Sequence, residues 1–331
     1  MHKVPNFLHT PKPLFSSPFL IFCSSFLSSF LYSFALFFFS FLPSFFSLYQ
    51  KKRWQQLGVF YPFSRNHDSI SSIDQNPWDF GPLHLEVTRR YINLKNSLHL
   101  FWYTLFERNA QSGEPVVKPL WFLYPYDPHT YSIDQQFLVG EQIMVAPALS
   151  QNQTTVRAYL PKDLWYDFYS GELAGNKGWN TVPAPLQTLP LFLRGGSILP
   201  LLKPSLTLTS TLKNPFQLLI ALDENKGARG EVYLDDGVSL QVGNRFSVFS
   251  MQVTNIANRS VLSVRGLYLG YNPNNNLLSD VTIFGVSSPV SQVSLDSKTI
   301  TSFKYDSQLH TLTVSNISSP FFSVPWNLSW N

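Results

Sequence analysis

Cysteine is nearly absent from these 331 residues: the single thiol is Cys23, so no disulfide framework and no thiolate metal site can form in the rest of the chain. Charge is sparse as well. Only 13% of residues are Asp, Glu, Lys or Arg, the net charge is +4, and the basic residues are scattered, which argues against a nucleic-acid partner. Before Arg53 there is no Asp or Glu at all. What is plentiful is apolar and aromatic surface, at 44% and 16% of residues, a composition that excludes disorder for most of the chain. At roughly 100 to 200 residues per domain, the length suffices for two or three domains.

The first fifty residues differ from the rest. Pro13 to Gln50 carries no charged residue, and Phe19 to Leu42 is long enough to cross a hydrocarbon core of roughly 30 Å as a helix. Phe15, Phe19, Phe22, Phe26, Phe30 and Phe34 recur at helical spacing, so a membrane anchor over residues 19–42 is one expectation. The other comes from the genetic code. Between Leu14 and Leu48 only Ile21, Cys23, Tyr32 and Ala35 depart from Phe, Ser, Leu and Pro, the residues that a pyrimidine-rich non-coding tract would encode. On either expectation residues 1–52 are a low-complexity segment outside the fold.

From Arg53 onward, periodicity predicts a helix from about Leu85 to Gln111, with Leu94, Leu98, Trp102, Leu105 and Phe106 on one face and Gly113 as its cap. The run Val116 to Tyr124 predicts a buried strand. From Gln136 the period is mostly two. Gln217 to Leu222, Gly230 to Leu234, Val281 to Phe284 and Thr311 to Ser315 alternate with turn clusters, so the second half is expected to be all β, in sandwiches.

Six collinear segments carry a family resemblance. Arg53-Trp54-Gln55-Gln56-Leu57-Gly58-Val59-Phe60-Tyr61-Pro62-Phe63-Ser64-Arg65-Asn66-His67 resembles a stretch near the end of the catalytic barrel of glycoside hydrolase family 31, the α-glucosidase family. Segments Ser112 to Leu120 and Asp134 to Gly140 resemble those that close that barrel, and Trp165 to Gly171 with Pro190 to Pro200 resemble its proximal β-sandwich. Gly230-Glu231-Val232-Tyr233-Leu234-Asp235-Asp236-Gly237 resembles the distal one. The resemblance implies a mainly β fold: a remnant of a (β/α)8 barrel over 53–134, then two antiparallel β-sandwiches over 135–212 and 213–331. It also implies hydrolysis of terminal α-linked glucose by the intact enzyme, with an α-glucoside or oligosaccharide as partner and no cofactor.

Retaining hydrolysis takes two carboxyl groups roughly 5 to 5.5 Å apart. In the family both precede the Arg-Asn-His segment, the nucleophile being the Asp of a Trp-x-Asp-Met-Asn-Glu motif. No catalytic residue is therefore expected here, and the chain is expected to be an inactive C-terminal portion. Asp68, Asp74 and Asp79 read as turn formers after His67. Asp167 reads as a strand residue, and Asp235-Asp236-Gly237 as a hairpin turn rather than a calcium loop. His67 carries over as the family's donor to a glucose hydroxyl, with Arg65 and Asn66 beside it as further substrate-binding candidates.

Triplets for N-glycosylation at Asn152, Asn258, Asn316 and Asn327 point to the secretory pathway, with a lysosomal, extracellular or membrane-anchored destination. A reading from a different class makes the chain a non-catalytic β-sandwich module that binds carbohydrate or assembles with another chain, tethered by residues 19–42.

Overall fold

The computed structural model describes residues 48–67, 69–70, 74–256, 259–272, 277–321 and 325–331. The chain divides into two compact units, Met1–Phe45 with His67–Asp74, and Phe46–Asn66 with Gln75–Asn331. All elements described below belong to the second. The span expected at 19–42 lies outside the described residues, among which no helix is long and apolar enough to cross a membrane.

Three helices come first, α1 (Leu48–Gly58), α2 (Pro82–Ser97) and α3 (His99–Ser112). The helix expected from Leu85 to Gln111 is thus two helices broken at Leu98. The Ser97 hydroxyl donates to the Leu94 carbonyl at 2.8 Å, an oxygen that also takes the helical bond from Leu98 N–H at 3.0 Å, and Leu98, at φ -80 and ψ 5, is fully buried at the break. Gly113 does end α3 in the left-handed conformation at φ 74, its N–H donating to Asn109 at 2.8 Å. The strand expected over Val116 to Tyr124 is only β1 (Val117–Lys118). Pro119 has no N–H with which to continue a ladder, and it starts the short helix α4 (Leu120–Leu123) instead.

A five-stranded antiparallel sheet follows, ordered β1, β2 (Phe137–Val139), β3 (Ile143–Val145), β7 (Leu191–Arg194) and β5 (Trp165–Asp167). Alternation along it serves two layers. Val139, Ile143, Val145, Leu191 and Leu193 pack with Phe60, Val87, Tyr91 and Trp102 of the helical layer. Leu138, Met144, Phe192 and Trp165 face the other way, against Val156 and Ala158 of the ribbon formed by β4 (Thr155–Leu160) and β6 (Gly178–Pro183).

The remaining strands form one twelve-stranded sheet: β8 (Ser197–Leu202), β9 (Phe216–Ala221), β10 (Ala228–Leu234), β11 (Ser247–Ile256), β12 (Arg259–Leu269), β13 (Leu277–Phe284), β14 (Val293–Leu295), β15 (Lys298–Ile300), β16 (Phe303–Asp306), β17 (Thr311–Val314), β18 (Ser319–Pro320) and β19 (Trp326–Trp330). The four runs expected as strands all lie in or across these. One helical turn, α5 (Leu208–Thr211), interrupts the β half. Most pairings are antiparallel, but β9 runs parallel to β13. The sheet folds over on a single parallel pair, Arg229 with Ser197, which joins β10 to β8. Its two halves then enclose one core, in which Val253, Leu262 and Trp326 meet Ile220, Ile283 and Leu312. Gly230 sits at the fold line, where a Cβ would stand 2.4 Å from the Ile198 carbonyl oxygen. β8 and β9 are a wall shared by two cores: Ile198 and Ile220 point into the distal one, Leu199 and Leu219 into that of the helices.

Candidate functional site

The Arg-Asn-His segment leaves the end of α1 through a tight turn, in which Phe60 N–H donates to Leu57 at 2.9 Å and Tyr61 N–H to Gly58 at 3.3 Å. Phe60 is fully buried and pins the turn to the helical core. Lys95 of α2 reaches over to donate to the Tyr61 carbonyl at 3.3 Å and the Ser64 hydroxyl at 2.9 Å, and burial holds its ammonium below the ordinary lysine value. Tyr61 stacks on Phe137 at 6.1 Å, its phenol pushed up to about 12 by burial. The Asn66 amide donates to the Gln75 carbonyl. Arg65, Asn66 and His67 are exposed, and His67 falls in the first compact unit. Two cavities, of about 20 and about 80 Å³, open near Arg53 and near Gln135; neither is lined by Arg65, Asn66 or His67.

The start of the same motif is built into the scaffold. Arg53 is buried, and its guanidinium donates to the carbonyls of Pro185 at 3.1 Å, Thr188 at 2.9 Å, Gln153 at 3.2 Å and Ala184. The planar fork of Arg offers five N–H donors in fixed directions, against three on the ammonium of a lysine. Gln56 adds a bond to the Leu186 carbonyl at 2.8 Å. Gln55 takes His84 Nε2 at 2.8 Å and the Thr88 hydroxyl. His84 is fully buried; burial first, then the nearby Lys52 and Lys51 charges, lower its pKa to about 4, so it is neutral at pH 7. Local sequence gives no sign of these roles, because the carbonyl partners of Arg53 lie 100 to 135 residues away and His84 is one histidine in an unremarkable helix.

Carboxylates are mostly committed to turns and seams. Asp68 lies outside the described residues, and Asp79 sits in a 3-10 turn, Pro77–Phe80. Asp167 ends β5 as expected, its Oδ1 accepting from the N–H of Tyr169 at 3.0 Å and of Ser170 at 2.7 Å. Asp235 and Asp236 open the connection between β10 and β11. Asp235 accepts from Tyr103 of α3 at 2.8 Å and from Tyr233 at 3.0 Å, a seam between helix and sheet. Asp236 caps the turn through the Ser239 hydroxyl, Ser239 N–H and Val238 N–H, which together hold its pKa near 2. Glu107 on α3 has its carboxyl raised by burial, but it accepts a bond from Gln111 within a pair of charges, Arg108 and Glu231, that bridge at 2.6 Å. Among the described residues no group of three or more His, Cys, Asp or Glu could hold a metal ion. Of the glycosylation triplets, Asn152 and Asn316 are exposed at turns with φ near 57 and 56, Asn327 is exposed on β19, and Asn258 lies outside the described residues.

Comparison with known proteins agrees with this architecture. The model of the family 31 glycosyl hydrolase TIM-barrel domain matches residues 46–105, and that of the family 31 C-terminal domain matches residues 113–199. The chain is 36% identical over 288 residues to an α-glucosidase of Schizosaccharomyces pombe, covering 84% of this chain and 29% of that protein. It is 33% identical over 296 residues to the lysosomal α-glucosidase of Rattus norvegicus, covering 83% and 31%. The chain thus spans less than a third of the length of these relatives. A crystal structure of glucosidase II α subunit shares its fold, with a TM-score of 0.75 and 22% identity over 86% of this chain and 33% of that one. On these grounds the chain belongs to glycosyl hydrolase family 31 and carries the C-terminal portion of its architecture, a barrel remnant followed by β domains.

Proposed function

We propose that this chain is the scaffold portion of a family 31 α-glucosidase acting on terminal α-linked glucose, and that it does no hydrolysis by itself. The observation that carries this reading is the use to which the family motifs are put. Arg53, Gln55 and Gln56 bind carbonyls and a buried histidine, Asp167 caps a turn, and Asp235 ties α3 to β10. These are bonds that hold a barrel end against β domains, and they commit the carboxylates of Asp167 and Asp235 to backbone and phenol donors. In this reading His67, with Arg65 and Asn66, contributes a hydrogen bond to substrate only when the rest of a pocket surrounds it, since one such bond is worth about 1 kcal/mol against water.

The same reading assigns 53–134 to the barrel, 135–212 to the proximal β domain and 213–331 to the distal one. Likeness to lysosomal α-glucosidases favours a secretory or lysosomal route, with glycans on the exposed Asn152, Asn316 and Asn327. A cyclitol epoxide that alkylates the nucleophile of retaining glucosidases tests the central part. The mass of the full chain should be unchanged after incubation, and one covalent adduct on an Asp or Glu would overturn the proposal.

A further inference from the structure

The ribbon of β4 and β6 turns to solvent an aromatic face that the roles above do not use. Its register sets Arg157 opposite Thr181 and Tyr159 opposite Trp179. Opposite residues, and those two apart, share a face of a ribbon, so these four stand on one side. Trp179 is 47% exposed, although a large ring gains more than most residues from burial.

The indole is nevertheless held in place. The Tyr159 ring meets it edge-on, at 5.3 Å and 68°, and the Arg157 guanidinium lies 4.8 Å from its centroid. Tyr159 is anchored in turn by its hydroxyl, which donates to Asp127 Oδ2 at 2.7 Å, and the His129 ring stacks on it at 5.7 Å. His129 Nδ1 stands 3.0 Å from Asp127 Oδ1. On the other flank the Asn180 amide donates to the carbonyls of Asn176 at 2.6 Å and Gly178 at 2.9 Å, which fixes the loop leading into Trp179.

A rigid exposed indole, with a guanidinium on its ring and an imidazole and a carboxylate on the Tyr159 beside it, suits a neutral polyhydroxyl ligand. One face of a pyranose presents C–H bonds that stack on an aromatic ring, and its rim of hydroxyls both gives and accepts hydrogen bonds. A phosphate would be repelled by Asp127, and an apolar protein patch would lose by desolvating the charges. Pre-set side chains also lower the ordering cost of binding.

We propose that Trp179 is the stacking residue of a surface subsite for a chain of α-linked glucose units, with Arg157, His129 and Asp127 as its hydrogen-bonding rim. The α linkage rests on the proposed function; the stacking geometry stands without it. Native electrophoresis of the full chain through gels containing soluble starch or a β-glucan tests both. Starch should retard the chain and β-glucan should not. Trp179→Ala should weaken retardation by about tenfold or more while leaving the unfolding temperature unchanged, as expected for a central aromatic anchor. Arg157→Ala, a change at an exposed position, should weaken it by about threefold and serves if the first variant fails to fold. No retardation in either gel, or undiminished retardation of both variants, would refute the subsite. Retardation by β-glucan alone would refute the α-glucan assignment and count against the proposed function as well.

Discussion

The Arg53 guanidinium, in the middle of α1, donates to the Thr188 carbonyl at 2.9 Å across 135 residues of chain. With the bonds to Pro185, Gln153 and Ala184 this makes one side chain a tie between the helical layer and the loops before β4 and β7. Arg53→Met keeps the volume and loses every one of those bonds, leaving the buried Ala184 carbonyl and the part-buried Thr188 and Gln153 carbonyls without that donor. We expect a loss of about 3 kcal/mol in urea unfolding, and Arg53→Lys should recover less than half of it. A variant as stable as the parent would show that the tie is not structural.

His84 makes stability depend on acid. Its ordinary value of 6.5 in the unfolded chain falls to about 4 when folded, so between those values the unfolded state binds the extra proton. Stability from this site is complete above about pH 6.5 and is lost as the pH falls toward 4. The loss should amount to about 2–3 kcal/mol between about pH 7.5 and about pH 4.5. His84→Gln, which keeps a group able to bond Gln55, should flatten that part of the curve. An unchanged slope in the variant would remove His84 as its source.

Gly230 permits the close approach at the fold line of the twelve-stranded sheet. A methyl group there meets the Ile198 carbonyl oxygen at 2.4 Å, a backbone atom that cannot swing aside. Gly230→Ala should cost about 2 kcal/mol or more, read by thermal unfolding, and a neutral result would mean that β8 and β10 separate easily.

Tyr103 reports on the seam between α3 and β10. Its phenol is pushed up to about 12, first by burial, then by the bond to Asp235 and that residue's charge. Asp235→Asn removes the charge and should bring the Tyr103 value down by about 1, measurable by ultraviolet titration against a Tyr103→Phe control. No change would assign the whole shift to burial.

Much of the fold was legible in local pattern, and the exceptions have local causes. The four runs in the β half became strands because alternation there matches burial on one or two faces, as in β9, where Leu219 and Ile220 serve different cores. Gly113 announced the end of α3. The break at Leu98 did not show, because apolar residues at helical spacing continue straight through it while the Leu98 backbone, at ψ 5, leaves the helical range. The strand forecast past Lys118 failed on Pro119, whose missing N–H outweighs the β propensity around it. The family motifs located the barrel end, but the structural use of Arg53 depends on carbonyls in a distant loop, which no spacing reveals. The Trp179 face was equally hidden: Arg157, Tyr159 and His129 come together only through the β4–β6 register and the turn at Pro128–Thr130.

Glucose release by the purified chain, residues 1 to 331, tests most directly the claim that these residues supply scaffold and not chemistry. With maltose or an aryl α-glucoside as substrate, the account predicts no release above an enzyme-free blank. Turnover that survives further purification would contradict it.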